Sequence, residues 1–411
     1  MVATLDVDLR PGRGLGMFEI GTSLWTIIDI LRHNSTLFPR VEIKYDAASE
    51  SALSPILLHI NPHLDLLFTG RHQRLRTVAL RKLTEPSPPV TLTYKDIVLL
   101  SGSDNETIRR SDISKYFGPT YPGEGLHYPG VSFLFDEDGP GGMGGHSNDM
   151  IVGAIKVGSP VQEDRQREVK RIVVSQACGD GVETDVLDDV AECESMAGNV
   201  GQAIVKVHDG VILHFYPFTS KPVRIQIGIT SAQDLTCDLG APLRIHYKED
   251  DRMAIHSRSK TLDGSDDGCK SMHPVRSYIY SYYILDFYNY FQFGVDCLMS
   301  SSTHLVQKII LHTNIPGTPM FQRYQRCPWE IEGEPEDEED DAPPRVKFTD
   351  KFDIISRFLN GASKETMPSM ELDRMEDERV TLPSPTTRLV GFDGVVLEVT
   401  EAAQVVTVIL F

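Results

Sequence analysis

The chain switches between two hydrophobic periods. At four places apolar residues recur three to four apart behind a capping residue, and Gly, Asn or Pro then ends the run. The first opens at Thr22 or Ser23, carries Leu24, Ile27, Ile28 and Leu31, and stops at Asn34 and Pro39. The second runs from Ser111 through Ile113, Tyr116 and Phe117 to Gly118-Pro119. The third opens at Thr230 or Ser231, carries Ala232, Leu235 and Leu239, and closes on Gly240 and Pro242. The fourth has Thr349 and Asp350 as caps, Phe352, Ile355, Phe358 and Leu359 as the stripe, and Asn360-Gly361 as the stop. Each pattern predicts a short amphipathic helix. Alternating stretches such as Val41, Ile43, Tyr45 and Leu243, Ile245, Tyr247 predict strands. Residues 291–312 predict a hairpin. Phe291, Phe293 and Val295 alternate on one arm, and Val306, Lys308, Ile310 and His312 on the other. Residues 395–411 predict another, rich in β-branched side chains.

These signals predict an α+β fold of antiparallel-sheet-rich modules, each with one short capped helix. The recurring helix-stop-strand order points to internal repetition. It resembles the repeat of β-lactamase inhibitor proteins and small outer-membrane lipoproteins. Read as domains, residues 1–215 form an N-terminal half of two modules, and 216–329 a central module with the aromatic hairpin. Residues 330–345 form an acidic disordered linker, and 346–411 a C-terminal helix and strands with a polar insert at 362–385. Polar, Gly-rich stretches at 136–148 and 261–270 read as loops, because they lack apolar residues to offset the entropy of ordering.

Composition narrows the function. The 411 residues are 40% apolar and 24% charged, ordinary for a globular protein. The net charge of −19, much of it in Glu330 to Asp341, argues against nucleic acid as a partner, since phosphate contacts need clustered cations. The start has acidic residues early and no apolar stretch of a secretory signal. No run approaches the roughly 18 apolar residues of a membrane span. The six cysteines form no CxxC pair, so free thiols in a cytoplasmic setting are expected.

Catalytic and cofactor motifs are not evident. Gly12, Gly14 and Gly16 lack the third fingerprint glycine, where Met17 stands, and no strand is predicted before them. The 139–145 glycine loop lacks the Lys and Ser/Thr of a phosphate loop and follows Asp136, Glu137 and Asp138. Cys297, His304, His312 and Cys327 match no zinc spacing. There is no GxSxG elbow. A non-enzymatic protein without cofactor or metal is expected. The rival is a hydrolase whose Cys or His partners are not adjacent in sequence.

Residues 289–317 read NYFQFGVDCLMSSSTHLVQKIILHTNIPG, followed by Tyr324 and Arg326-Cys327. This stretch resembles the phagophore assembly factor family of autophagy adaptors. Leu15-Gly16, Phe117-Gly118, Pro122-Gly123, Asp234, Leu239-Gly240, Tyr247-Lys248, Met253, Ile255-His256-Ser257, Gly391-Phe392 and Leu397-Glu398-Val399 extend the resemblance over almost the whole chain. It implies a non-catalytic adaptor that associates with a WD-repeat propeller partner. It also implies recruitment from the cytoplasm to the phagophore, with phosphoinositides involved. A trafficking scaffold on endomembranes or the Golgi is the alternative.

Three sets of residues are candidate contacts. His312, Thr313, Asn314, Pro316 and Gly317 interrupt an apolar strand with a turn, a common place for recognition, and are candidates for propeller docking. Arg71, Arg74 and Arg76, with Arg165, Arg167, Lys170 and Arg171, concentrate charge that suits anionic lipid. Phe352 and Ile355 have the aromatic-x-x-aliphatic form that ubiquitin-like autophagy modifiers bind by strand addition, and they also fit the fourth helical stripe.

Overall fold

A computed structural model describes residues 4–46, 52–85, 88–102, 107–120, 125–135, 165–177, 189–248, 285–333, 343–361, 367–373 and 386–411. The chain divides into two compact units, Met1–Ala197 and Gly198–Phe411. The strands of residues 200–215, grouped by sequence with the N-terminal half, thus belong to the second unit.

In the first unit β1 (Leu5–Arg10), β2 (Gly14–Leu15) and β3 (Phe18–Glu19) lead into helix α1 (Leu24–His33). A meander follows: β4 (Val41–Lys44), β5 (Ile56–Ile60), β6 (Leu64–Phe68) and β7 (Leu75–Arg81). Then come β8 (Val90–Tyr94), β9 (Ile97–Leu100), α2 (Arg110–Phe117) and a second meander of β10 (Gly125–Tyr128), β11 (Val131–Leu134) and β12 (Arg171–Ser175). The small sheet has the order β3-β2-β1-β8-β9, with β1 and β8 parallel. The large sheet has the order β10-β11-β12-β7-β6-β5-β4 and is antiparallel throughout.

The second unit repeats this path. β13 (Val200–Lys206), β14 (Gly210–Phe215) and β15 (Val223–Gln226) precede α3 (Ala232–Leu239) and a meander of β16 (Arg244–Lys248), β17 (Leu285–Tyr290), β18 (Val295–Met299) and β19 (Val306–His312). β20 (Trp329–Glu332), β21 (Arg345–Lys347), α4 (Phe352–Asn360) and β22 (Ser369–Asp373) to β25 (Val405–Leu410) complete it, with β23 (Thr386–Phe392) and β24 (Val395–Thr400) between. Its small sheet is β15-β14-β13-β20-β21, again with the first and fourth strands in chain order parallel. Its large sheet, β22-β23-β24-β25-β19-β18-β17-β16, is the first unit's order plus one edge strand.

The duplication reaches single residues. Gln73 and His304 both have positive φ, at 50° and 54°. Gly21 N donates to Leu75 O, as Gly228 N does to Val306 O; Leu24 N donates to Gln73 O, as Ala232 N does to His304 O. The helix caps Ser23 and Ser231 bridge Arg74 and Leu305. Repetition is therefore real, and its unit is a pair of sheets with two helices rather than a single helix-strand module.

All four predicted helices form. Ser23 caps α1 and Ser231 caps α3, each hydroxyl accepting from a backbone N–H three residues on. Gly118, Gly240 and Gly361 end α2, α3 and α4 with positive φ. Two starts differ from expectation. Arg109, not Ser111, is the α2 N-cap, because Asp112 Oδ2 accepts from Arg109 N at 3.1 Å. Lys351 precedes α4, since Asp350 instead accepts from Lys347 N at 2.7 Å.

The predicted hairpins are β18–β19 and β24–β25. Phe291 and Phe293 lie in the turn before β18. A register shift at Leu298/Met299 puts Ile309 and Leu311, rather than Ile310, on the core face. The inward faces of this unit's sheets meet over one core that includes Val205, Val295, Ile309, Trp329, Ile355 and Val408. Glu330 and Glu332, expected to begin a disordered linker, are strand residues paired with Arg345. The polar stretch 362–385 contains β22. The loops expected at 136–148 and 261–270, and most of 333–342, lie outside the described residues.

Candidate functional site

Four polar residues from the stretch that carries the family resemblance, Asn289, Asp296, His312 and Tyr324, converge on the outward face of the second unit's large sheet. The face is set by register: Asn289 is opposite Asp296, Asp296 opposite Ile310, and His312 opposite Thr407. Side chains directly opposite on antiparallel strands share a face. The chain between β19 and β20, residues 313–328, folds back so that Tyr324 lies over this face.

Asp296 is the centre. Its Oδ1 accepts from Asn289 Nδ2 at 2.8 Å. Its Oδ2 accepts from Tyr324 Oη at 2.7 Å and from His312 Nε2 at 2.9 Å. The His312 and Tyr324 rings stack with centroids 3.6 Å apart. Burial, then the neighbouring Asp296 carboxylate, pushes the Tyr324 hydroxyl pKa well up, so it stays a donor. Thr313 Oγ1 accepts from Trp329 Nε1 at 3.0 Å, and Thr313 O accepts from Arg326 Nε at 2.7 Å. Asn314, at φ 52°, accepts from Gln322 N at 2.9 Å. Arg326 is buried and brought down to about 9 by desolvation, so it remains charged at neutral pH over the Phe348 ring. These groups are turned inward and engaged within the protein, except that His312 Nδ1 is buried without a hydrogen-bond partner.

The docking candidates are therefore not a surface. His312, Thr313 and Asn314 are 5%, 0% and 3% exposed, and Pro316 and Gly317 are buried as well. The polar interruption of an apolar strand is explained by the network it completes. What the segment does present outward is residues 319–323, with Arg323 exposed and Met320, Phe321 and Gln322 half-buried.

The arginine cluster divides by environment. Arg71 and Arg165 are exposed, Arg76 and Arg167 half-buried, and Arg74 is only 4% exposed. Arg167 and Arg110 both lie over the Phe135 ring, at 5.4 and 5.3 Å. Lys170 pairs with Glu168 at 3.1 Å. Arg171 stands in β12 directly opposite Arg81 of β7. Phe352 and Ile355 pack into the core; Ile355 is fully buried, so the strand-addition motif is not displayed. Cys297 and Cys327 are buried thiols with pKa values pushed up by desolvation, and no group of metal ligands occurs among the described residues.

Sequence reading missed the first unit's counterpart of this site. Asp65 in β6 is opposite His59 in β5 and Ala79 in β7, as Asp296 is opposite Asn289 and Ile310. Arg81 then corresponds to His312. Asp65 Oδ1 lies 2.6 Å from His59 Nδ1, Asp65 Oδ2 3.2 Å from Arg81 Nε, and Arg81 Nη2 2.6 Å from His59 Nε2. The Asp in an otherwise apolar strand, LDLLF against VDCLM, was the available signal.

A family profile described as Phagosome assembly factor 1 matches residues 14–411. The chain belongs to this family. A PHAF1 protein of Arabidopsis thaliana is 24% identical over 428 residues, covering 98% of this chain and 92% of the relative. One from Caenorhabditis elegans is 24% identical, covering 96% and 90%. One from Drosophila melanogaster is 25% identical, covering 99% and 94%. No solved structure matches. Among the described residues of this chain, no helix is long and apolar enough to cross a membrane.

Proposed function

We propose that this chain is a non-enzymatic adaptor of phagosome assembly in autophagy. In this reading it binds a WD-repeat propeller protein and joins the phagophore membrane from the cytoplasm. The observation that carries the reading is the Phagosome assembly factor 1 match over residues 14–411. The second unit's network supports a recognition role of a particular kind. His312, Thr313, Asn314, Pro316 and Gly317 hold the shape of the segment, and its outer residues 320–323 touch the propeller. Arg71 and Arg165 are exposed, and in this reading they meet anionic headgroups.

The test is co-precipitation of the propeller partner from starved cells with the full chain. Phe321→Ala and Arg323→Glu are expected to reduce the recovered partner at an unchanged melting temperature. Wild-type recovery by both variants would remove this segment from the interface.

A further inference from the structure

The two units solve the same structural position differently, and the difference points to a partner. Thr407 of β25 is opposite His312 and Glu398, and its hydroxyl donates to Glu398 Oε2 at 2.9 Å. Glu398, only 2% exposed, also accepts from Thr387 at 2.7 Å. In the first unit the residue opposite Arg81, the counterpart of His312, is Arg171, and the residue opposite Arg171 on β11 is Leu134. The position that holds a carboxylate in one unit thus holds an aliphatic side chain in the other, beside an arginine.

Among the described residues that arginine has no counter-charge. Arg171 has no hydrogen-bond or ion-pair partner among the described residues, and its Nε is shielded from solvent. A shielded donor without an acceptor is destabilising, because it has given up water and gained no partner. Like charges directly opposite on neighbouring strands add repulsion. Arg81 does not relieve it, since Arg81 is itself a cation already engaged by Asp65 and His59. The face is also more open here: the His59, Asp65 and Arg81 side chains are 18%, 12% and 16% exposed, against 6% for both His312 and Asp296.

We infer that Arg171 anchors a carboxylate side chain supplied by a protein partner, an acidic segment laid across the outward face of the first unit's large sheet. The occupant is a carboxylate because the duplicate unit places one at this spot, and because the guanidinium's fork of N–H donors matches a carboxylate in charge and geometry. Half-buried Leu134 and Val173 flank Arg171 and give the segment apolar contacts. This surface is independent of the propeller-docking segment proposed above.

The experiment uses the full chain and a fluorescein-labelled octapeptide alternating Leu and Glu, read by anisotropy, with the Leu/Gln peptide as control. The Glu peptide should bind at least tenfold tighter than the Gln peptide. Arg171→Leu should remove that preference, and Arg171→Lys should keep part of it. Leu134→Glu, which supplies the carboxylate in cis as Glu398 does, should also block the peptide while raising the melting temperature. Equal binding of the two peptides overturns the inference, as does unchanged binding by Arg171→Leu or by Leu134→Glu. Arg171-dependent capture of phosphatidylserine vesicles without peptide binding would overturn it in favour of a lipid. Peptide binding seen only after Asp136→Asn, Glu137→Gln and Asp138→Asn together would assign the site to the chain's own acids, and overturn it too.

Discussion

Asp65 and Asp296 occupy the same position of the same strand in two copies of one fold. Each is satisfied by the residue opposite it on the preceding strand and by the side chain that ends the following strand. Among the described residues, only Asp296 has a further donor, Tyr324, from a segment folded over the sheet.

Tyr324→Phe therefore removes one donor to a buried charge and is expected to cost about 1–3 kcal/mol in urea unfolding. Asp296→Asn in the same background should be non-additive by at least about 0.5 kcal/mol, because the two side chains share the bond. Additive losses would mean that the hydroxyl contributes nothing through Asp296.

Acid should destabilise the small sheet of the second unit first. Hydrogen bonds from Arg224 and Gln226 hold Asp209 below the usual carboxylate range. Burial pulls Glu332 upward, but hydrogen bonds from Arg345 and Lys206 outweigh it and leave the group lowered. A depressed carboxylate contributes stability above its unfolded pKa, roughly 4 for such groups, and loses it as pH falls through the folded value. Melting temperature should fall between about pH 4.5 and 3. Arg345→Ala should flatten that fall, and an unchanged slope would dismiss the Glu332 contribution.

Ile355→Ala should act on folding. Its side chain is fully buried in the core, so truncation is expected to cost about 2–5 kcal/mol. A variant that melts like wild type yet loses a ubiquitin-like modifier would reverse this assignment.

Vesicle binding, if carried by the arginines, should separate by exposure. Arg165→Glu is expected to weaken binding to anionic vesicles at low salt without changing the melting temperature. Arg74→Glu, at a site 4% exposed, is expected to lower the melting temperature instead. Equal, purely binding defects in both would show that burial does not divide the cluster.

Local chemistry fixed much of this protein in its sequence. The stripes and stops of α1 to α4 are read within a dozen residues, because a cap, a 3.6-residue period and a left-handed glycine are short-range requirements. The family was equally legible, because residues 289–327 are a contiguous run. What those residues do was not. Whether Thr313 faces water or Trp329 depends on a bond between residues on different strands. The inward face of β19 was set by a register shift against β18, which no alternation pattern shows. The duplication was visible only as repeated helices, since its proof is strand order and its two parallel pairs join strands far apart in the chain. The contrast between Arg171 and Thr407 likewise exists only once Leu134 and Glu398 are set opposite them. Sequence decides such residues' chemistry, and tertiary pairing decides which charge each one meets.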